Sequence, residues 1–256
     1  MRYKILLSYD GAPFCGWQRQ NGDPSVQQCL EEALATLLRQ QTAVTGAGRT
    51  DTGVNAFSYT AHFDASGSLD TAQFCCKLNA ILPPSIKVHS VEATAEDFHA
   101  RFDATEREYT YFLHRRKDPF IAGHSYLCGY PELDFEAMNR AAQALLGTRD
   151  FGCFAKTGSD VKTTVCTLRE ARWYSYLPDH VRLGGYPGAE GDYWYFRIRG
   201  DRFLRNMVRA IVGTLIEVGR GKRSADSMEE LLSSGDRCAA GESVPGHALF
   251  LTGVKY

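Results

Sequence analysis

Apolar and polar residues alternate along 2–8, the two-residue period of a strand with one face in a core. The period then lengthens. Pro24-Ser25 opens a helix with a Ser25-x-x-Gln28 capping box, and Val26, Leu30, Ala33, Leu34, Leu37 and Leu38 follow at helical spacing. A short β-branched strand over 42–46 leads into a glycine-rich loop. Residues 57–64 predict a strand with Phe57, Tyr59, Ala61 and Phe63 on one face and Ser58, Thr60, His62 and Asp64 on the other. A helix fits 71–82, stopped by Pro83-Pro84, and a strand fits 86–92.

This order, β-α-β-β-α-β, is the ferredoxin-like arrangement, and it recurs. The second copy reads as a strand at 107–116, a helix at 134–146 closed by Gly147, strands at 164–176 and 193–199, a helix at 202–218 and a strand at 247–254. An additional short helix fits 225–234. The predicted fold is α/β in the broad sense and α+β in detail. Two ferredoxin-like modules with antiparallel sheets, 1–104 and 105–256, would flank a central basic cleft. Four glycines and a proline in 184–191 predict a hairpin or mobile loop, with no chemistry assigned.

The chain of 256 residues, 44% hydrophobic and 23% charged, has the composition of a soluble globular protein. No stretch of apolar residues is long enough to span a membrane, and the amino terminus enters a strand pattern without a signal-peptide apolar region. A cytoplasmic location is the default expectation. The eight cysteines include no C-x-x-C pair and no histidine at ligand spacing, so reduced thiols are expected and no metal is implied. A net charge of −1 argues against a generally basic nucleic-acid binder, but a local basic surface suffices for phosphate recognition.

Chemistry concentrates in Gly46-Ala47-Gly48-Arg49-Thr50-Asp51-Thr52-Gly53-Val54-Asn55-Ala56. Glycines let the backbone turn tightly and approach a ligand, so charged groups between them are placed and not scattered. Arg49 beside Asp51 would favour the ionised carboxylate and offer a cationic fork to phosphate. The segment is neither a P-loop nor a dinucleotide fingerprint, and a structural turn is the competing reading.

Other segments carry weaker signals. In Tyr9-Asp10-Gly11 through Gln20, Phe14 and Trp17 either offer stacking faces or pack a loop over the core, and Arg19 offers a phosphate contact. In Phe98-His99-Ala100-Arg101-Phe102-Asp103, Arg101 and Asp103 read most simply as a mutual pair. Tyr109 and Tyr111 share a strand face, either as half-buried sheet residues or as a stacking partner for an extruded base. Arg115-Arg116-Lys117 reads most simply as a solvated strand end, with a phosphate contact as the alternative. Helical spacing from 202 places Arg202, Arg205, Asn206, Arg209 and Gly213 on one face, with Leu204, Met207, Val208, Ile211 and Leu215 opposite. Three arginines so close repel one another, which calls for acidic partners or phosphate.

Together the Tyr-Asp-Gly…Gly-Trp-Gln-Arg-Gln opening, the Gly-Arg-Thr-Asp-x-Gly-Val loop, Phe-His-Ala-Arg-Phe, Arg-x-Tyr-x-Tyr and Met-Val-Arg resemble the tRNA pseudouridine synthase A family. The resemblance covers almost the whole chain. It implies an isomerase converting uridine to pseudouridine in tRNA, on the 3′ side of the anticodon stem–loop at about positions 38 to 40, recognised largely through RNA shape. It implies no cofactor and a homodimer. Its nucleophilic aspartate falls on Asp51, its active-site tyrosine on Tyr109, the arginine pairing with the aspartate on Arg209, and the base-displacing arginine on Arg49. Arg101, Arg107, Arg202 and Arg205 would add phosphate contacts. The family commonly has histidine where this chain has Asn55, a position expected to support the loop.

The chemistry leaves three routes open for Asp51: attack at C1′, a glycal route, or addition at C6. Tyr109 would cover the flipped base and is a candidate base for the C5 proton. Two other classes compete. A non-catalytic RNA-binding module gives Asp51 no task. A glycosidase or nucleotide hydrolase needs a second carboxylate or a metal, and the sequence offers no convincing partner.

Overall fold

The computed structural model describes all residues except 21, 157, 159–161 and 186–188. The middle of the expected 184–191 hairpin therefore lies outside the described residues. In chain order the strands and helices are β1 (Arg2–Tyr9), α1 (Val26–Leu38), β2 (Val44–Gly46), β3 (Asn55–Asp64), α2 (Thr71–Ile81), β4 (Ile86–Thr94), β5 (Glu106–His114), β6 (Tyr126–Leu127), α3 (Phe135–Gln143), β7 (Gly147–Asp150), β8 (Val165–Ser175), α4 (Asp179–Gly184), β9 (Tyr193–Gly200), α5 (Met207–Gly219), α6 (Ser227–Ser234) and β10 (Leu249–Lys255). They form two compact units, Met1–Arg107 with Phe250–Tyr256, and Glu108–Leu249. The α+β expectation holds.

In the first unit the strands run β4-β1-β3-β10, with β2 on β3. β1 is antiparallel to both β3 and β4. Its alternation is what the sequence pattern dictates: Tyr3, Ile5, Leu7 and Tyr9 are buried and their neighbours are not. Helix α1 buries Val26, Leu30, Ala33 and Leu34, each large side chain contributing about 2 kcal/mol of hydrophobic stabilisation. Only half of the expected capping box forms. Ser25 Oγ accepts from the Gln28 amide, while the Gln28 side chain turns to Glu32.

Strand β3 departs from the simple two-face reading. Thr60 and His62 are buried as well as Tyr59, Ala61 and Phe63, whereas Phe57 is exposed and packs its ring on Phe250. The expected polar face is covered by the 98–104 segment, with Phe98 and His99 against the His62 ring. One edge of β3 is shared: Ala61–Phe63 takes β2 antiparallel, and Asn55–Ala56 takes β10 in parallel. The sheet is thus mixed, with a second parallel pair between β5 and β6.

In the second unit the order is β5-β9-β8-β7, with β6 on β5. β7 extends the expected set by a strand, pairing antiparallel with β8. Trp173 and Phe196 sit opposite each other across β8 and β9, and Phe135 of α3 packs against Trp173. Helix α5 is buried almost all round, which its apolar sequence requires. Among the described residues, no helix is long and apolar enough to cross a membrane.

Candidate active site

Asp51 sits, half-buried, on the loop that leaves β2 at Gly46 and returns to the sheet at Asn55. Both flanks of that loop are pinned to the end of β1 and the segment after it. Before Asp51, the buried Thr50 hydroxyl lies 2.9 Å from the Tyr9 hydroxyl, and its carbonyl accepts from the Trp17 amide at 3.3 Å. Gly16 has φ +95°, and any Cβ there would overlap the Thr50 carbonyl. After Asp51, the Gly53 amide donates to Phe14 O and the Val54 amide closes a turn on Asp51 O at 3.1 Å. Asn55, 1% exposed, accepts from the Gly11 amide at 2.7 Å. The position expected to support the loop does so with a short amide oxygen.

A third anchor comes from below. Trp17 stacks on Tyr59 with centroids 4.0 Å apart, and the Tyr59 hydroxyl donates to Gly48 O. A side chain at Gly46 would collide with both rings. Phe14 and Trp17 are buried, so the core reading of these aromatics is the right one. Arg19 pairs with Glu31 at 3.1 Å, which accounts for it structurally. A carboxylate carried on so restrained a backbone is held in position before any ligand arrives, the condition for a group that must meet one atom of a substrate.

The arginines of the first unit have distinct surroundings. Arg49 is exposed and its Nε donates to Gln18 Oε1 at 3.1 Å. Arg107 donates to the carbonyls of Ala47, Arg101 and Ala104, tying the loop to the 98–104 turn. The expected Arg101–Asp103 pair is replaced by other partners. Asp103 Oδ2 accepts from the His99 amide at 2.7 Å, and the exposed Arg101 lies over the Phe102 ring. The turn is seated by His62, whose Nδ1 accepts from the Ala100 amide. Burial pushes the His62 imidazole below its usual range, with Arg2 and His99 adding to the effect.

In the second unit Tyr109 is half-buried and meets Phe203 edge-to-face at 5.1 Å. Tyr111, two residues on, is fully buried and donates to Pro245 O at 3.2 Å; burial raises its hydroxyl far above the ordinary tyrosine value. Arg209 Nε donates to Val244 O at 2.7 Å.

The expected arginine stripe needs correction. α5 begins at Met207 instead of 202, so Arg202 and Arg205 precede it. Asp201 accepts from the amides of Arg202 and Thr167, which ties this stretch to β8, and Asn206 takes φ 67° immediately before the helix. A left-handed residue cannot continue a helix on its N-terminal side, and the repulsion among three stacked arginines is thereby avoided. Arg205 is exposed and Arg202 half-buried. Arg115 donates to the carbonyls of Tyr130 and Pro131, and Arg116 pairs with Asp192, so these two have protein partners.

Sequence reasoning missed Phe203, the Tyr59 anchor and the segment 241–245 that meets Arg209. Each is a contact between distant positions in an otherwise ordinary apolar or small-residue pattern. Asn55 was singled out only because it departs from the family's usual histidine.

Comparison with known proteins gives a consistent result. The family model described as tRNA pseudouridine synthase matches residues 5–103 and 141–256. A tRNA pseudouridine synthase A from Bacteroides thetaiotaomicron is 48% identical over 255 residues, covering all of this chain and 90% of the relative. The protein of the same name from Parabacteroides distasonis is 48% identical, covering 96% of the relative, and that from Bacillus subtilis 39%, covering 99%.

Proposed function

The chain belongs to the tRNA pseudouridine synthase family, and from that premise we propose that it isomerises uridine to pseudouridine on the 3′ side of the anticodon stem–loop, at about positions 38 to 40. Asp51 is the nucleophile in this reading. Tyr109 covers the flipped base, Arg209 is the guanidinium partner of the carboxylate, and Arg49 helps displace the base. Arg101, Arg202 and Arg205 face phosphate, with affinity falling as salt rises, and Arg107 contributes from its place under the loop. Residues 1–104 supply the catalytic loop and 105–256 complete the site.

The observation that carries the reading is the restraint on Asp51: its loop is held on both sides by Thr50–Tyr9 and Asn55–Gly11. Such anchoring suits a carboxylate that must meet one atom of a substrate. The reaction breaks the N1–C1′ bond and rejoins the uracil through C5, so the C5 hydrogen must leave as a proton. No cofactor is needed for that exchange. With tRNA tritiated at C5, the protein should release label to water, and Asp51→Ala and Asp51→Asn should release none. Unchanged release from either variant refutes the assignment.

The active form in this reading is a cytoplasmic homodimer. Supporting it, Phe112, Tyr174, Tyr176 and Tyr195 form a contiguous cluster of half-buried rings on the sheet face opposite Trp173 and Phe196. Half-buried aromatic clusters of this kind recur at the centres of subunit interfaces. Light scattering should give the mass of two copies, and Tyr195→Glu should give one. A monomeric wild type would remove this part of the reading.

A further inference from the structure

We propose that Ser243 and Asn206 are positioning residues for Arg209, acting through the segment 241–245 that lies along the first two turns of α5; the proposal rests on the assignment of Arg209 to the reacting site. The segment is held against its support along its length. The Gly241 amide donates to Thr214 Oγ1 at 2.9 Å. Glu242 passes so close to α5 that a Cβ on Gly213 would overlap its carbonyl oxygen. Ser243 Oγ accepts from Asn206 Nδ2 at 2.6 Å and from Arg237 Nη2 at 3.3 Å. Val244 then exchanges two bonds with Arg209: its amide donates to Arg209 O, and its carbonyl accepts from Arg209 Nε. Pro245 O accepts from Tyr111.

The consequence for Arg209 is geometric. A guanidinium is a rigid plane, so a bond at Nε sets the direction in which the two terminal nitrogens point. The acceptor of that bond is a backbone carbonyl, which moves only if the segment moves. Ser243 is the adjacent residue, and its hydroxyl fixes the segment to Asn206. Asn206 in turn holds a left-handed backbone at φ 67°, a conformation costing non-glycine residues about 1 kcal/mol or more. Its side chain makes no capping bond to the helix. The amide group is spent on Ser243, which gives the strained residue a purpose beyond starting α5.

The test is a mutant cycle read by tritium release from C5-labelled tRNA, with thermal melts confirming that each variant is folded. Ser243→Ala should lower kcat about tenfold and leave KM for tRNA within about twofold, the signature of a misplaced group and not of lost binding. Asn206→Gly, which accepts the left-handed backbone without the amide, should do the same, and Ser243→Thr should restore the rate. In an Arg209→Lys background Ser243→Ala should cost nothing further, because the group it orients is already gone. An equal loss in both backgrounds, or an unchanged kcat in Ser243→Ala, overturns the proposal. If that happens while Asp51→Asn is inactive, only the positioning role falls; release from Asp51→Asn would instead remove the catalytic reading beneath it.

Discussion

The hydroxyls of Tyr9 and Thr50 meet at 2.9 Å in the core, one residue before Asp51. Tyr9 ends the first strand and Thr50 stands in the loop, so this single bond links the end of an interior strand to the loop that carries Asp51. Tyr9→Phe keeps the ring, including its packing on Trp17 and Tyr59, and deletes only the oxygen. It leaves Thr50 buried without that partner. We expect a loss of about 1–2 kcal/mol in urea unfolding and a kcat lowered more than KM is raised. A variant as stable and as fast as wild type would show that the bond does not hold the loop.

Gly213→Ala should be among the most damaging small substitutions in the chain. One methyl group would overlap the Glu242 carbonyl, so α5 or the segment across it must shift, at a cost of about 1–3 kcal/mol. Gly67→Ala is the control, since nothing lies within 4 Å of the added carbon. Urea midpoints of the two variants measure the difference.

Stability should fall as pH drops from 7 toward 5. Burial depresses the imidazoles of His62 and His114 below the ordinary histidine value of about 6.5. Between the ordinary and the depressed values the unfolded chain binds protons that the folded chain refuses, so acid favours unfolding. His62 would also lose its role as acceptor for the Ala100 amide. His62→Asn should flatten this part of the pH profile. An unchanged slope in that variant would assign the effect elsewhere.

Thiol labelling should be biphasic. Cys76 and Cys238 are exposed, whereas Cys128, Cys153 and Cys166 are buried. Burial pushes the thiols of Cys153 and Cys166 up to about 11 and about 12, so their thiolates are scarce at neutral pH. A disulfide-exchange reagent should modify Cys76 and Cys238 first and reach the buried three only in denaturant.

Where the physics is local, the sequence was enough. The alternation of 2–8 gave β1, the spacing of Val26, Leu30 and Leu34 gave α1, and the glycines around Asp51 marked the loop. Long-range contacts were harder to see. Nothing near Phe57 reveals that Phe250 will lie against its ring, and nothing near Arg209 reveals the Val244 carbonyl. The start of α5 was misplaced because helical periodicity continues back through Arg202, while Asp201 and the left-handed Asn206 override it. Phe14 and Trp17 illustrate the ambiguity of aromatics: their residue types suit a base or a core equally, and only their burial, for Trp17 against Tyr59, decides.

The parallel pairing of Phe250 and Leu251 with Asn55 and Ala56 has a temporal consequence. The strand that follows the Asp51 loop acquires this neighbour only after nearly two hundred further residues have been made. During synthesis on the ribosome, the amino-terminal portion therefore waits with that edge open while the middle of the polypeptide emerges. A nascent chain would close that edge of β3 only once translation has passed β10.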